Sequence, residues 1–494
     1  MALPHARWHT KEMAKDSPST PRDNRSAPIS AAFQEFIQTG WIAPESVPVP
    51  RAPIAAYAAA RRESLSAEFP GTTLVIPAGS PPRRSNDTDY AFRPHSAFTY
   101  FTGWGHVATP GSVLVGIWED EQHSWILLAR GPAPRTSDEF YANAAVGEFW
   151  TGRRASLEDI SAGLGITTLE LEPAEISARV GAASAVIREA DPPLTATLDA
   201  LRNTPEETSL DALLAQVSSE MRLVKDDQEI AELRKAVAAT HRGFNDIITA
   251  LPRAVGHTRG ERIIEGAFTS RARLEGNATG YDSIVASGSH ACILHWVAND
   301  GPIREGDLLL VDAGVELDSL YTADITRTMP VTGRFSTHQR QVYEAVLEAA
   351  DAAFDAVAPG VTFHTIHDTA MAVIARHVSE WGFLPVSLEE TLEKSSQLHR
   401  RYMIHGTSHH LGLDVHDCAH ARRERYLAGI LEPGMVFTIE PGLYFQPDDE
   451  TVPPEWRGIG VRIEDNILVT ATGAENLSRG IPRTVAEIES WMAP

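Results

Sequence analysis

Gly306-Asp307-Leu308-Leu309-Leu310-Val311-Asp312-Ala313-Gly314 and Gly434-Met435-Val436-Phe437-Thr438-Ile439-Glu440-Pro441-Gly442 stand far apart in the chain and carry one pattern. In each, a glycine turn launches five residues of strand. An acid lands six residues after the first glycine and two before the second. Downstream of each lies a further strand acid, Asp324 in Tyr321-Thr322-Ala323-Asp324-Ile325-Thr326-Arg327 and Glu464 in Val461-Arg462-Ile463-Glu464-Asp465. Upstream, both copies read as helix, turn, helix. The first has a long amphipathic helix to about Leu251, with Ile230, Leu233, Val237 and Phe244 at helical spacing, a turn near Gly256 and a second helix from Arg259. The second has helices over Gln339–Ala358 and Thr365–Trp381 about a Pro359-Gly360 turn. The repeat predicts one internally duplicated domain over about 226–494.

Before it, 195–225 reads as a connector. Residues 52–194 read as a smaller α/β domain: a helix over Arg51–Ala67, a buried strand over Gly71–Pro77, and a hairpin joined by Glu119-Asp120-Glu121. Helices are expected over Leu157–Gly163 and Glu175–Glu189. Residues 1–51 are rich in Ser, Pro and mixed charge and predict a disordered tail with a short helix near Ile29–Thr39. A chain of 494 residues is too long for one ordinary core, in keeping with this division.

The net charge is −23, from 66 acidic and 43 basic residues, so a phosphate backbone would be repelled and nucleic acid is excluded as a partner. No apolar run approaches the roughly 18 residues needed to span a bilayer, and no secretory leader is legible; these point to the cytoplasm and away from membranes. Two cysteines, Cys292 and Cys418, make neither a disulfide framework nor a thiolate metal site.

Two related halves packed face to face would present two pairs of carboxylates to one interior point. Asp312, Asp324, Glu440 and Glu464 could not all be ionised there without counter-charge, and two divalent cations would balance them. Singly, an acid ending an apolar strand is more often a turn or cap, and Arg327 and Arg462 offer Asp324 and Glu464 ordinary salt bridges. The histidines shift that balance. His405, His409 and His416 fall in the Gly-containing stretch His405-Gly406-Thr407-Ser408-His409-His410-Leu411-Gly412-Leu413-Asp414-Val415-His416-Asp417, and His295 is expected at the end of another apolar strand. Oxygen-rich ligation with an imidazole favours Mn2+, with Zn2+ and Co2+ as alternatives. No HExxH, GxSxG or Walker A pattern competes.

These residues resemble the pita-bread metallopeptidases, the group of methionine aminopeptidase, prolidase, aminopeptidase P and the metal-free creatinase. Five ligand positions match in type and order: Asp312, Asp324, His409, Glu440 and Glu464. The match is best to aminopeptidase P, through 408–417, 431–444 and 456–465; Phe92-Arg93-Pro94-His95 through Gly103 is similar to the creatinase-like amino-terminal domain. The resemblance implies an α+β architecture with pseudo-twofold halves after a smaller α/β domain. It implies a dinuclear centre whose bridging hydroxide attacks the bond before a penultimate proline. Asp324 and Glu464 would bridge the ions, Asp312 would bind one, and His409 and Glu440 would complete the other, with Glu440 also shuttling a proton. His295 and His416 would steady the intermediate, His405 would line the pocket, and Arg462 would orient Glu464. It further implies a homo-oligomer, dimer or tetramer. Prolidase, restricted to Xaa-Pro dipeptides, is the nearest rival. A metal-free binding module on the same fold is the rival of another kind, and methionine aminopeptidase normally lacks the first domain.

Overall fold

The computed structural model describes residues 29–42, 48–86, 88–181, 183–202 and 208–493. Most of the expected tail therefore lies outside the described residues; within it, the short helix forms over Ala31–Ile37. By contacts the chain divides into a small unit, from 1–47 and 132–154, and a large one, from 48–131 and 155–494. In the small unit Phe33 packs edge-on to Tyr141 at 5.4 Å and Arg135 lies over the Trp41 ring at 4.6 Å.

The amino-terminal part of the large unit is built on a five-stranded mixed sheet. Thr73–Pro77 sits between Val113–Glu119, antiparallel, and Ser184–Val186, parallel; Gln122–Ala129 and Thr167–Glu170 extend it. The expected hairpin closes through Asp120 and Glu121, whose φ values of 51° and 60° put both residues in the left-handed region, as a two-residue turn matching the right-handed twist of its strands demands. The sequence reading differs at one place. The helix expected over Glu175–Glu189 stops at Arg179, and Ser184–Val186 is instead a buried edge strand. Its short apolar run finds partners in Thr73–Val75 that a helix would forgo. The expected connector is helical, with Pro192–Arg202 and Ser209–Met221. Asp211 fixes the second of these: it closes a capping box with Thr208 and takes ion pairs from Arg188 and Arg202.

The duplicated part follows the predicted order. Helices Asp227–Ala254 and Gly260–Glu275 precede a three-stranded sheet in which Leu308–Ala313 is central, between Ile284–Ser287 and Ile325–Pro330. Helices Thr337–Asp355 and Phe363–Glu380 precede a second, with Asp465–Val469 central between Val436–Ile439 and Ala474–Asn476. Each first helix starts on a capping box, Asp226 with Glu229 and Ser336 with Gln339, which is why both begin abruptly. One apolar core joins the two halves, from Phe244 and Phe268 through Val311 and Tyr343 to Phe437 and Ile467. Both launching glycines, Gly306 and Gly434, hold φ near +90°. The closing pair have the opposite need, close approach. A Cβ on Gly314 would run into the Ala323 carbonyl, and one on Gly442 into the Tyr444 hydroxyl.

Candidate active site

The ladders explain where the acids fall. Leu308–Ala313 and Ile325–Pro330 pair antiparallel until Ala313 meets Ile325, leaving Asp324 one step beyond the ladder and Asp312 beside it. Val436–Ile439 and Asp465–Val469 pair until Ile439 meets Asp465, so Glu440 and Glu464 both leave the ladder at the same end. The two ladder ends are then laced together. Glu464 N donates to the Thr326 carbonyl at 3.1 Å and Thr326 Oγ1 donates to Glu464 Oε2 at 2.7 Å. Asn466 receives Asp324 N on its Oδ1 at 3.2 Å and donates back to the Asp324 carbonyl.

All five expected ligands line one cavity of 650 Å³, together with His295, His405, His416 and Arg462. Donor atoms of Asp324, His409 and Glu464 lie within 4.8 Å of one another. His409 Nε2 is 3.2 Å from Asp324 Oδ2 and 3.4 Å from Glu440 Oε1. The ring is aimed by its other nitrogen, Nδ1, 3.2 Å from the His410 carbonyl, and its backbone pairs with Thr438. His416 stands edge-on to His409 at 4.4 Å, and His405 Nε2 meets the Tyr444 hydroxyl at 2.8 Å.

Three placements depart from the sequence reading. His295 is not at a strand end: the strand finishes at Ser287, a 3-10 turn spans Gly288–Cys292, and His295 sits in the loop beyond. Arg462 is bonded to Asp312, at 2.5 Å, rather than to Glu464, because it shares the Thr326 hydroxyl with Glu464 and reaches past it. Arg327 pairs with Asp465, not Asp324. Tyr281 was missed. Its hydroxyl lies 2.6 Å from Asp312 Oδ1 and also contacts Asp324 Oδ1, bridging the two acids of the first half. Only strand register could have flagged it, since Asp312 pairs with Ile284, three residues on from this tyrosine.

Without a cation the acids are under electrostatic strain. Burial, with Asp324 adding repulsion, pushes the Glu440 carboxyl up to about 7 against the pull of His409. Burial raises Glu464 well above the carboxylate range, and Asp324 and Asp312 add to it. Burial also raises Asp312, which Arg462 only partly offsets. Asp324 alone goes down: burial opposes its charge, but the His409 hydrogen bond prevails. His409 rises to about 9, its desolvation outweighed by Asp324 and Glu440. A pocket that concentrates four carboxyls, and makes three of them harder to ionise, is suited to divalent cations. The donor set, carboxylate oxygens with one imidazole, fits hard or borderline ions.

Comparison with known proteins agrees with this geometry. A family model described as Metallopeptidase family M24 matches residues 231–471, and one described as Aminopeptidase P, N-terminal domain, matches residues 58–179. Xaa-Pro aminopeptidase 2 of Streptomyces coelicolor is 48% identical over 467 residues, 94% of this chain and 97% of that protein. The chain belongs to metallopeptidase family M24. Within M24, Xaa-Pro aminopeptidase of Escherichia coli is 35% identical, over 87% of this chain and 96% of its own. The Pseudomonas aeruginosa aminopeptidase PepP structure superposes with a TM-score of 0.76 at 33% identity, covering 90% of this chain and 98% of that one. An E. coli aminopeptidase P solved in complex with substrate gives 0.75 at 32%, covering 89% and 98%. M24 membership together with these near-full-length aminopeptidase relatives makes the chain a metallopeptidase, and its α+β architecture is that of aminopeptidase P, the pita-bread fold behind an amino-terminal domain. Divalent metal ions are the cofactor, and peptides the substrate class. Among the described residues no helix is long and apolar enough to cross a membrane.

Proposed function

We propose that the chain removes the amino-terminal residue from peptides whose second residue is proline, using two divalent ions, Mn2+ by preference. The observation that carries this is the convergence of Asp312, Asp324, His409, Glu440 and Glu464 on one cavity that three further histidines enter. When bound, the ions would supply an activated water and an electrophilic contact for the scissile carbonyl. Asp312, Asp324, His409, Glu440 and Glu464 would hold them.

The remaining work falls to the chain. The bond before proline is a tertiary amide with no N–H, and its nitrogen must gain a proton to leave. Glu440, at the edge of the carboxylate cluster and driven toward neutrality by burial, is suited to carry that proton. His295 and His416, which also line the cavity, would donate to the oxyanion that develops at the carbonyl. His405, held by Tyr444, would shape the wall around the proline ring. Arg462 and Tyr281 would hold Asp312 in its ligating orientation. The matches over 58–179 and 231–471 support a division into an amino-terminal domain over 52–194, a linking segment over 195–225 and a catalytic domain over 226–494. A cytoplasmic dimer or tetramer completes the proposal.

A peptide panel with Mn2+ present tests the reading. The expected result is turnover of Xaa-Pro-Xaa tripeptides above Xaa-Pro dipeptides, and none when the second residue is alanine. Preference for the dipeptide would instead mark a prolidase.

A further inference from the structure

Glu261 is a fully buried carboxylate in the first turn of the Gly260–Glu275 helix, outside the cavity, and it takes four N–H donors from one segment. Its Oε1 accepts from Ser287 N at 2.9 Å and from His290 Nδ1 at 2.7 Å. Its Oε2 accepts from Trp296 Nε1 at 2.8 Å and from Gly301 N at 2.7 Å. The His290 and Trp296 rings are stacked at 3.9 Å, so the two side-chain donors hold each other as well as the acid. Gly301 is required at its place, since a Cβ there would come within 2.8 Å of Glu261 Oε2.

These donors bracket the loop that carries His295. Trp296 follows it directly, His290 precedes it, and Ser287 and Gly301 are the loop's two roots. Asn299, buried at φ 46°, adds a second tie by receiving Val285 N at 2.8 Å and donating to the Ser283 carbonyl at 2.8 Å. The His295 ring itself makes no hydrogen bond among the described residues, and it is exposed to the cavity. Its aim is therefore set by the backbone of its loop, and that backbone is set by Glu261.

We propose that Glu261 is a positioning residue for His295, fixing the imidazole where it meets the oxyanion. This rests on the role given to His295 above. A carboxylate is the group required, because only it offers acceptors on both oxygens. Glutamine would turn an N–H2 toward two donors and strand them in the interior.

The test is a double-mutant cycle on a Xaa-Pro-Xaa tripeptide with Mn2+, using Glu261→Gln, His295→Ala and the pair. Glu261→Gln is expected to lower kcat by about 10- to 100-fold with KM little changed, the scale of a misplaced reacting group. The pair should be no slower than His295→Ala alone. A residue that merely stabilises the fold would multiply the two losses, and that result, or a normal kcat in Glu261→Gln, overturns the proposal. Where thermal unfolding shows that Glu261→Gln does not fold, Trp296→Phe removes one donor and replaces it in the cycle. A kcat loss present with His295 and absent without it supports the proposal, and equal or no loss in both backgrounds overturns it. If His295→Ala alone keeps full kcat, the role of His295 is wrong and the Glu261 inference falls with it. If His295→Ala is impaired and the losses multiply, only Glu261 is misassigned.

Discussion

Glu440→Gln is expected to abolish peptide turnover, by at least about a thousandfold, while the protein stays folded. The side chain holds two roles at once. Its carboxylate oxygen, 3.4 Å from His409 Nε2, would complete the donor set, and under the proposed mechanism its proton would pass to the leaving nitrogen. Glutamine keeps the shape and removes both. The fold survives because the metal-free protein gains little from this charge. A carboxyl raised to about 7 by burial contributes stability below its unfolded value near 4.5 and loses it as pH rises through about 7. After chelation the wild type should therefore lose stability across that window, and Glu440→Gln should lose less of it. Steady-state kinetics and thermal melts from pH 5 to 9 check both halves. Residual turnover within tenfold of wild type would remove Glu440 from the mechanism.

Asp417→Asn is expected to unfold the protein more readily, by about 3–5 kcal/mol, the cost of stranding a buried cation. Lys225 has no exposed side-chain surface; its Nζ donates to the Arg222 carbonyl and pairs with Asp417 Oδ2 at 3.3 Å. Arg222 Nη2 reaches Asp417 Oδ1 at 3.2 Å. Burial opposes the Asp417 charge, but Arg222 and Lys225 outweigh it and hold the carboxyl below its usual range. Its contribution is accordingly intact at neutral pH and is lost only on acidification. The loss should reach the site too, because Asp417 follows His416 and its amide is bonded to the His410 carbonyl. Adding Lys225→Met should restore much of the stability, since the double variant leaves no unpaired ammonium. Denaturant melts of the three proteins decide it; equal stability of Asp417→Asn and wild type would show the pair to be idle.

The sequence was most legible where local chemistry and long-range register agree. The glycines at 306, 314, 434 and 442 mark strand starts and close approaches in both copies, so the acids between them could be located before any contact was known. The hairpin at Asp120-Glu121 was readable for the same reason. Glu175–Glu189 was not, because a three-residue edge strand carries too few residues to show a period of two. Partner choice was the harder part. That Arg462 bonds Asp312 across the seam, and that Tyr281 joins Asp312 to Asp324, depends on how two sheets meet, which spacing along one chain does not encode. His295 lies in a loop whose course is set by Glu261, itself far off in sequence, and periodicity is silent there.

Because Thr326 grips Glu464 and Arg462 grips Asp312, each half orients the other's acids. Neither copy of the duplication could have served alone in its present form. A cation seated among donors drawn from both would act as a rivet, so that its binding energy opposes separation of the halves and only a fully assembled chain could retain it.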